Sequence, residues 1–112
     1  MQEFPDRKTF VSYLECSETG RHYPADQIYN LSDAGKPLLV RYDLNALKTY
    51  LTKPMLHNRP ADLWRYREFL PVRKTENIVS LGEIMTPVIR SRYLESKLAM
   101  GTVAIKDEGR LP

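Results

Sequence analysis

The chain has 112 residues and a mass of 13.0 kDa, with 42% apolar and 28% charged residues, which is the size and composition of one small domain. Its one cysteine, Cys16, excludes an internal disulfide and any metal site built from several thiolates, and it indicates a reducing, cytoplasmic setting. No apolar run approaches the roughly 20 residues of a membrane-spanning helix, and the first residues lack the apolar core of a secretion signal, so we expect no membrane partner.

The charge is mildly basic, with a net value of +3 and a pI of about 9.1. All of the surplus lies in residues 57–112, but acidic residues are interspersed there. A clustered basic stripe, which is typical of nucleic-acid-binding proteins, is missing, and we expect no nucleic-acid partner. A non-enzymatic binding module that engages its partner through the basic second half remains an alternative.

The first forty residues predict two hairpin turns. Residues 9–15 alternate in hydropathy as a strand does, Gly20 suits a reversal, and residues 22–23 form the return strand. A second turn, Ser-Asp-Ala-Gly, precedes a strand at residues 38–42. The two turns have the spacing of paired zinc knuckles, but three of the four ligand positions carry residues that cannot bind zinc. We therefore predict a degenerate, metal-free ribbon over residues 1–43, whose four ligand positions are Cys16, Thr19, Leu31 and Ala34.

Two short helices are predicted next. Asp43 caps a segment with leucines and Tyr50 at helical spacing, and Pro54 is interpreted as its end. Pro60 begins a second helix. In that second helix we expect one buried face, formed by Leu63, Tyr66, Phe69 and Leu70. We expect Trp64, Arg65 and Arg67 to point away from that face.

The last third predicts loops and short strands. Residues 82–87 are expected to form a structured loop, followed by a strand at Val88 and Ile89, a turn at Gly101 and a strand over 102–106. The last of these strands leads directly into Lys106, Asp107 and Glu108, a position where α/β proteins place functional loops.

Self-contained catalytic chemistry is not evident. His22 and His57 are the two imidazoles, and nothing in the sequence places either beside a nucleophile, so we interpret both as ordinary packing or surface residues. The chain has no phosphate-cradling glycine motif. From residue chemistry alone, the chain is a small mixed domain without a complete active site.

Three motifs, LWRYREFLPV, VSLGEIMTPVI and IKDEGRLP, change that interpretation. In order and spacing they resemble the N-terminal region of threonine synthase, a pyridoxal-phosphate-dependent lyase of the tryptophan-synthase-beta fold family. The matched motif residues are Gly82, Glu83, Thr86, Pro87, Lys106, Asp107 and Glu108.

The resemblance implies a mixed α/β fold, in which ribbon-like hairpins and short helices lead into the first strands of the pyridoxal-phosphate enzyme fold. Residues 44–112 would begin the catalytic domain, and the full-length enzyme would convert O-phospho-L-homoserine and water into L-threonine and phosphate. The family's Schiff-base lysine would follow shortly after Pro112, so the resemblance implies no catalytic, cofactor-binding or metal-binding residue within this chain.

Further expectations depend on that resemblance. The chain alone is expected to be inactive, and its partner is expected to be the remainder of the catalytic domain or a second copy of itself. Ile84 stands where the family usually has a glycine, so we expect the turn there to have a different shape. A related pyridoxal-phosphate enzyme that acts on another amino acid remains an alternative.

Overall fold

The structure, a computed structural model, describes residues 4–112, which divide into two compact units. The first unit consists of residues 4–60 and 64–79, and the second of residues 61–63 and 80–112. Both units contain small antiparallel sheets and short helical segments, so the predicted mixed α/β class is confirmed. None of the helices in residues 4–112 has the length and apolar character needed to cross a lipid bilayer. The assignment of residues 1–43 to a ribbon-like domain stays a prediction.

The first unit is built on a three-stranded antiparallel sheet in the order β2-β1-β3. Leu14 on the central strand lies opposite Tyr23 on one side and Val40 on the other. The strands overlap the predicted ones, with bounds that differ by one or two residues, because alternating hydropathy and glycine turns are local signals. Their bounds are Val11–Cys16 for β1, His22–Pro24 for β2 and Leu38–Tyr42 for β3.

Two short helices follow, α1 at Leu44–Tyr50 and α2 at Lys53–Leu56. The predicted cap of α1 is confirmed, since the Asp43 carboxylate accepts the backbone N–H of Ala46 at 2.9 Å. The interpretation of Pro54 as a helix end was wrong. It lies instead in the first turn of α2, where a missing N–H costs nothing because that N–H would have no intrahelical partner.

The expected orientation of the next helix was also wrong. Residues Leu63–Phe69 form a 3-10 helix whose backbone departs from helical angles at Tyr66. Three residues per turn and this kink give a buried face different from that of an α-helix. The buried side chains are Trp64, Arg67 and Glu68. Of the residues expected in the core, Leu70 is half-buried, and the exposed ones are Leu63, Tyr66 and Phe69.

A buried ion pair holds this 3-10 helix in the first unit. The guanidinium of Arg59 donates two hydrogen bonds to the two carboxylate oxygens of Glu68, each at 2.7 Å, and a third to the carbonyl of Arg65. The backbone carbonyl of Glu68 accepts the N–H of Phe10, which precedes β1. One charged pair therefore connects the residues after α2, the 3-10 helix and the sheet.

The second unit contains two antiparallel strands, β4 at Val88–Arg90 and β5 at Ala104–Lys106, with helix α3 at Arg92–Leu98 between them. Both strands were predicted, but α3 was not. The Ser91 hydroxyl caps α3 by accepting the N–H of Leu94. Two further 3-10 segments lie at Thr75–Asn77 in the first unit and Glu108–Arg110 in the second.

Candidate functional site

The pairing of β4 with β5 brings residues of two sequence motifs together. Lys106, the last residue of β5, ion-pairs with Glu108 at 2.9 Å between Nζ and Oε1. The Thr86 hydroxyl donates to the same carboxylate oxygen at 2.8 Å and accepts a hydrogen bond from Lys106. The N–H of Asp107 donates to the carbonyl of Pro87 at 2.9 Å. These contacts join the GEIMTP loop to the end of the IKDE strand, and we call Thr86, Lys106 and Glu108 the strand-end cluster.

The electrostatics of the strand-end cluster favour the charged form of Glu108. Hydrogen bonds from Lys106 and then Thr86 hold the pKa of Glu108 below its ordinary value. Thr86 is buried, whereas Lys106 and Glu108 are about half-exposed, so the hydroxyl anchors a charged pair that water still reaches. An ion-paired ammonium is a poor nucleophile, because it lacks a free electron pair. The cluster is therefore suited to fixing a turn and presenting charge.

Glu83 has a different task within its own loop. Its carboxylate accepts the hydroxyl of Ser80 at 2.9 Å and the N–H of Leu81 at 3.1 Å. Backbone hydrogen bonds and the Ser80 hydroxyl lower the pKa of Glu83. Gly82 adopts a φ of 83°, which glycine tolerates and other residues resist. The structure thus uses Gly82 and Glu83 to close a tight loop rather than to extend the strand-end cluster.

Ile84, which stands where the family usually has a glycine, lies in extended backbone. The non-glycine residue with positive φ in the described part of the chain is Ala99, so Ile84 keeps an ordinary backbone conformation. It forms an antiparallel bridge with Asp62, and the next N–H, that of Met85, donates to the carbonyl of Ala61. Extended pairing suits a β-branched residue, and the expected difference in turn shape from the family stays a prediction.

The two turns of the ribbon-like segment face each other, but in a register that the sequence did not reveal. Cys16 Sγ lies 3.1 Å from the Ser32 hydroxyl and accepts the N–H of Thr19 at 3.4 Å. Leu31, assigned above to a ligand position, is 47% exposed. Within residues 4–112, no three His, Cys, Asp or Glu side chains converge as a metal site requires. The two turns are instead connected by the contact between the Cys16 thiol and the Ser32 hydroxyl.

Hydrogen bonds from the Ser32 hydroxyl and from Thr19 lower the pKa of the Cys16 thiol to about 7. We expect thiolate absorbance in the ultraviolet to titrate with a midpoint near that value. Ser32→Ala should move the midpoint upward toward the ordinary value of 9.0, because the strongest hydrogen bond to the thiolate is lost. The matched control is Ser17→Ala, an exposed serine in the first turn. Equal midpoints in all three proteins would contradict this assignment.

Comparisons with known proteins bear on the resemblance noted in the sequence. No protein-family model matches the chain, and no solved structure does. Threonine synthase from Methanocaldococcus jannaschii is 35% identical to it over 97 residues, which cover 87% of this chain. The resemblance to threonine synthase is confirmed. The chain spans about a quarter (24%) of the length of that relative.

Sequence reasoning placed the threonine synthase motif residues correctly on loops and strand ends but missed the side chains that support them. Ser80 closes the Glu83 loop and Ser32 faces Cys16, although neither was among the residues singled out from the sequence. A serine two or three residues before a glycine or an acidic residue is a common turn-forming signal, and it could have identified both. Arg59 and Glu68 had no local signal at all.

Proposed function

We propose that this chain forms the N-terminal part of a threonine synthase, the lyase that converts O-phospho-L-homoserine and water into L-threonine and phosphate. The observation that carries the proposal is the 35% identity to a threonine synthase across 87% of the chain. The three motifs quoted above support it, because they occur in the family's order. By the same proposal the protein acts in threonine biosynthesis in the cytoplasm.

The role proposed for the strand-end cluster follows from its contacts. Lys106 and Glu108 form an ion pair that is anchored on the buried Thr86, and this fixes the direction in which the chain leaves β5. The closed loop at Gly82 and Glu83 likewise sets the entry to β4. The entry to β4 and the exit from β5 are thereby oriented, as a wall on the substrate side of an active site needs to be.

Pyridoxal phosphate, the cofactor that the resemblance implies, does not fit the lysine of this motif. A lysine that forms a Schiff base must react as the neutral amine, which burial among apolar groups favours. Lys106 has the opposite surroundings, an ion pair with Glu108 at 2.9 Å and partial exposure to water. We therefore assign the residues of this chain a structural role and derive no catalytic step from them.

A hybrid protein tests the proposal. The 97 matched residues of the M. jannaschii enzyme would be replaced by the corresponding residues of this chain. We expect the hybrid to release phosphate from O-phospho-L-homoserine, since the turns of this chain would support the relative's own catalytic residues. The control replaces the same segment by a flexible glycine-serine linker and should be inactive. A folded hybrid that releases no phosphate would overturn the proposal, and one active only on another amino acid would overturn its substrate.

A further inference from the structure

An uncovered apolar groove lies beside the helices of the first unit. Its larger part has a volume of about 450 Å³, and a smaller part of about 180 Å³ adjoins it through two shared residues, Leu51 and Phe69. The smaller part is lined by α1 and the 3-10 helix, and the larger part by α2 and the 3-10 helix, all within the first unit. The larger part is lined by Leu51, Thr52, Lys53, Leu56, Tyr66 and Phe69.

The groove arises from a helix that carries more apolar surface than its unit buries. On α1, Leu47 is buried, whereas Leu44, on the same face one turn earlier, is 64% exposed. The kink at Tyr66 leaves Tyr66 and Phe69 exposed where an α-helix would have turned its apolar face inward. Apolar side chains are thus lined up along about two helical turns and into the 3-10 helix.

Two cations mark the groove's rim. Lys48 lines the smaller part and Lys53 the larger, and both are exposed. Neither makes an ion pair with a described residue, whereas Lys36 and Lys106 do. Among the described residues that line the groove, none is acidic. An apolar floor with unpaired ammonium groups on its rim complements a partner that is apolar on one face and negative beside it.

We propose that this groove binds an acidic amphipathic helix, whose leucine-like face fills the floor and whose carboxylates pair with Lys48 and Lys53. The two parts adjoin at Leu51 and Phe69 and form one open apolar groove, of the kind that an amphipathic helix fills. This inference does not depend on the threonine synthase proposal, because every contact lies in the first unit and none involves the strand-end cluster.

The test uses the full chain and a synthetic helix of about four turns, with leucines at positions i, i+3, i+4 and i+7 and glutamates beside them. We expect saturable binding by isothermal calorimetry that weakens as salt is added. The doubly reversed variant Lys48→Glu/Lys53→Glu should bind roughly tenfold more weakly. Lys97→Glu, a reversal on α3 in the second unit, should bind as the unchanged chain does.

A second variant tests the floor. Phe69→Gln removes the aromatic ring shared by both parts of the groove, and we expect it to abolish binding; Leu98→Gln, at an exposed leucine of α3, is its control. Circular dichroism shows whether each variant is folded. If Phe69→Gln does not fold, the binding of the lysine variants tests the proposal. Three results would overturn the proposal. The first is equal binding of a peptide that carries lysines in place of its glutamates, and the second is binding of dodecanoate but not of the peptide. The third is dimerisation that Phe69→Gln abolishes, which would show that a second copy occupies the groove.

Discussion

Replacing Arg59 by methionine is expected to lower the free energy of unfolding by about 3 to 5 kcal/mol, because it leaves the buried carboxylate of Glu68 without its cation. Glu68 is 1% exposed, and Arg59 supplies both hydrogen bonds to its oxygens. Urea unfolding at neutral pH, followed by tryptophan fluorescence, measures the effect. The double variant Arg59→Met/Glu68→Met should lose less stability than the single one, since it leaves no buried charge.

The same pair predicts an acid-sensitive fold. Burial by itself would raise the pKa of Glu68, but the hydrogen bonds from Arg59, a backbone hydrogen bond and the positive charges of Arg59 and Arg7 together hold the pKa below the ordinary 4.5. A lowered pKa stabilises the folded state above the unfolded value, and that contribution is lost as the pH falls below 4.5. The double variant should lack this loss. Lys74→Met breaks an exposed pair with Glu76 and should cost at most about 1 kcal/mol.

Arg67 provides a matched contrast to Arg59. It is also buried, at 1% exposure, but its three guanidinium nitrogens have no hydrogen-bond partner in the described part of the chain, and burial lowers its pKa. Substitution of such a group by an apolar one of similar volume relieves a desolvation penalty. We therefore expect Arg67→Met to leave stability unchanged or raise it. Equal losses from Arg59→Met and Arg67→Met would contradict the assigned difference between these arginines.

In the hybrid enzyme, Lys106→Met is expected to lower kcat/KM for O-phospho-L-homoserine by about 10²-fold, because small displacements of supporting groups are costly in active sites. Lys106 is a positioning residue in this account: it holds Glu108 and Thr86 and touches no reacting group. Steady-state phosphate release measures the change.

Conservative substitution separates positioning from mere stability. Lys106→Arg keeps the positive charge beside Glu108 and should recover most of the activity, with the loss in Lys106→Met expressed mainly in kcat. Lys97→Met, on the exposed face of α3, controls for the loss of a surface charge. If Lys106→Met and Lys97→Met have the same activity, the strand-end cluster has no role in orienting the site.

The elements that the sequence predicted correctly are those with local causes. The strands β1 to β3 follow from alternating hydropathy between glycine turns, and α1 follows from the Asp43 cap. The helix α3 was missed although Ser91 caps it, because the interpretation of its residues centred on the turn at Gly101. Its Leu94 and Leu98, one turn apart, are a pattern that could have revealed it.

The core of the first unit could not be predicted, because it depends on residues far apart in the chain. Glu68 is buried since Arg59 reaches it and since its backbone accepts the N–H of Phe10. An amphipathic pattern predicts one apolar face, and it gave the wrong one for residues 63–69 because it assumes an α-helical period. A buried ion pair leaves no such pattern in a sequence.

The arrangement of the motif residues could not be predicted from the sequence. The motif residues lie in two segments about twenty positions apart, and resemblance to a family carries no geometry. Antiparallel pairing of β4 and β5 places Thr86 beside Lys106, and the 3-10 turn after β5 returns Glu108 to both. The involvement of Glu83 in its own loop likewise needed the structure.

Threonine formation by the hybrid enzyme tests the central claim most directly. With O-phospho-L-homoserine as substrate, the account predicts L-threonine and phosphate in equal amounts, none from the linker control, and none from this chain alone. A hybrid that folds as the M. jannaschii parent does and forms no threonine would contradict the assignment of this chain to the threonine synthase scaffold.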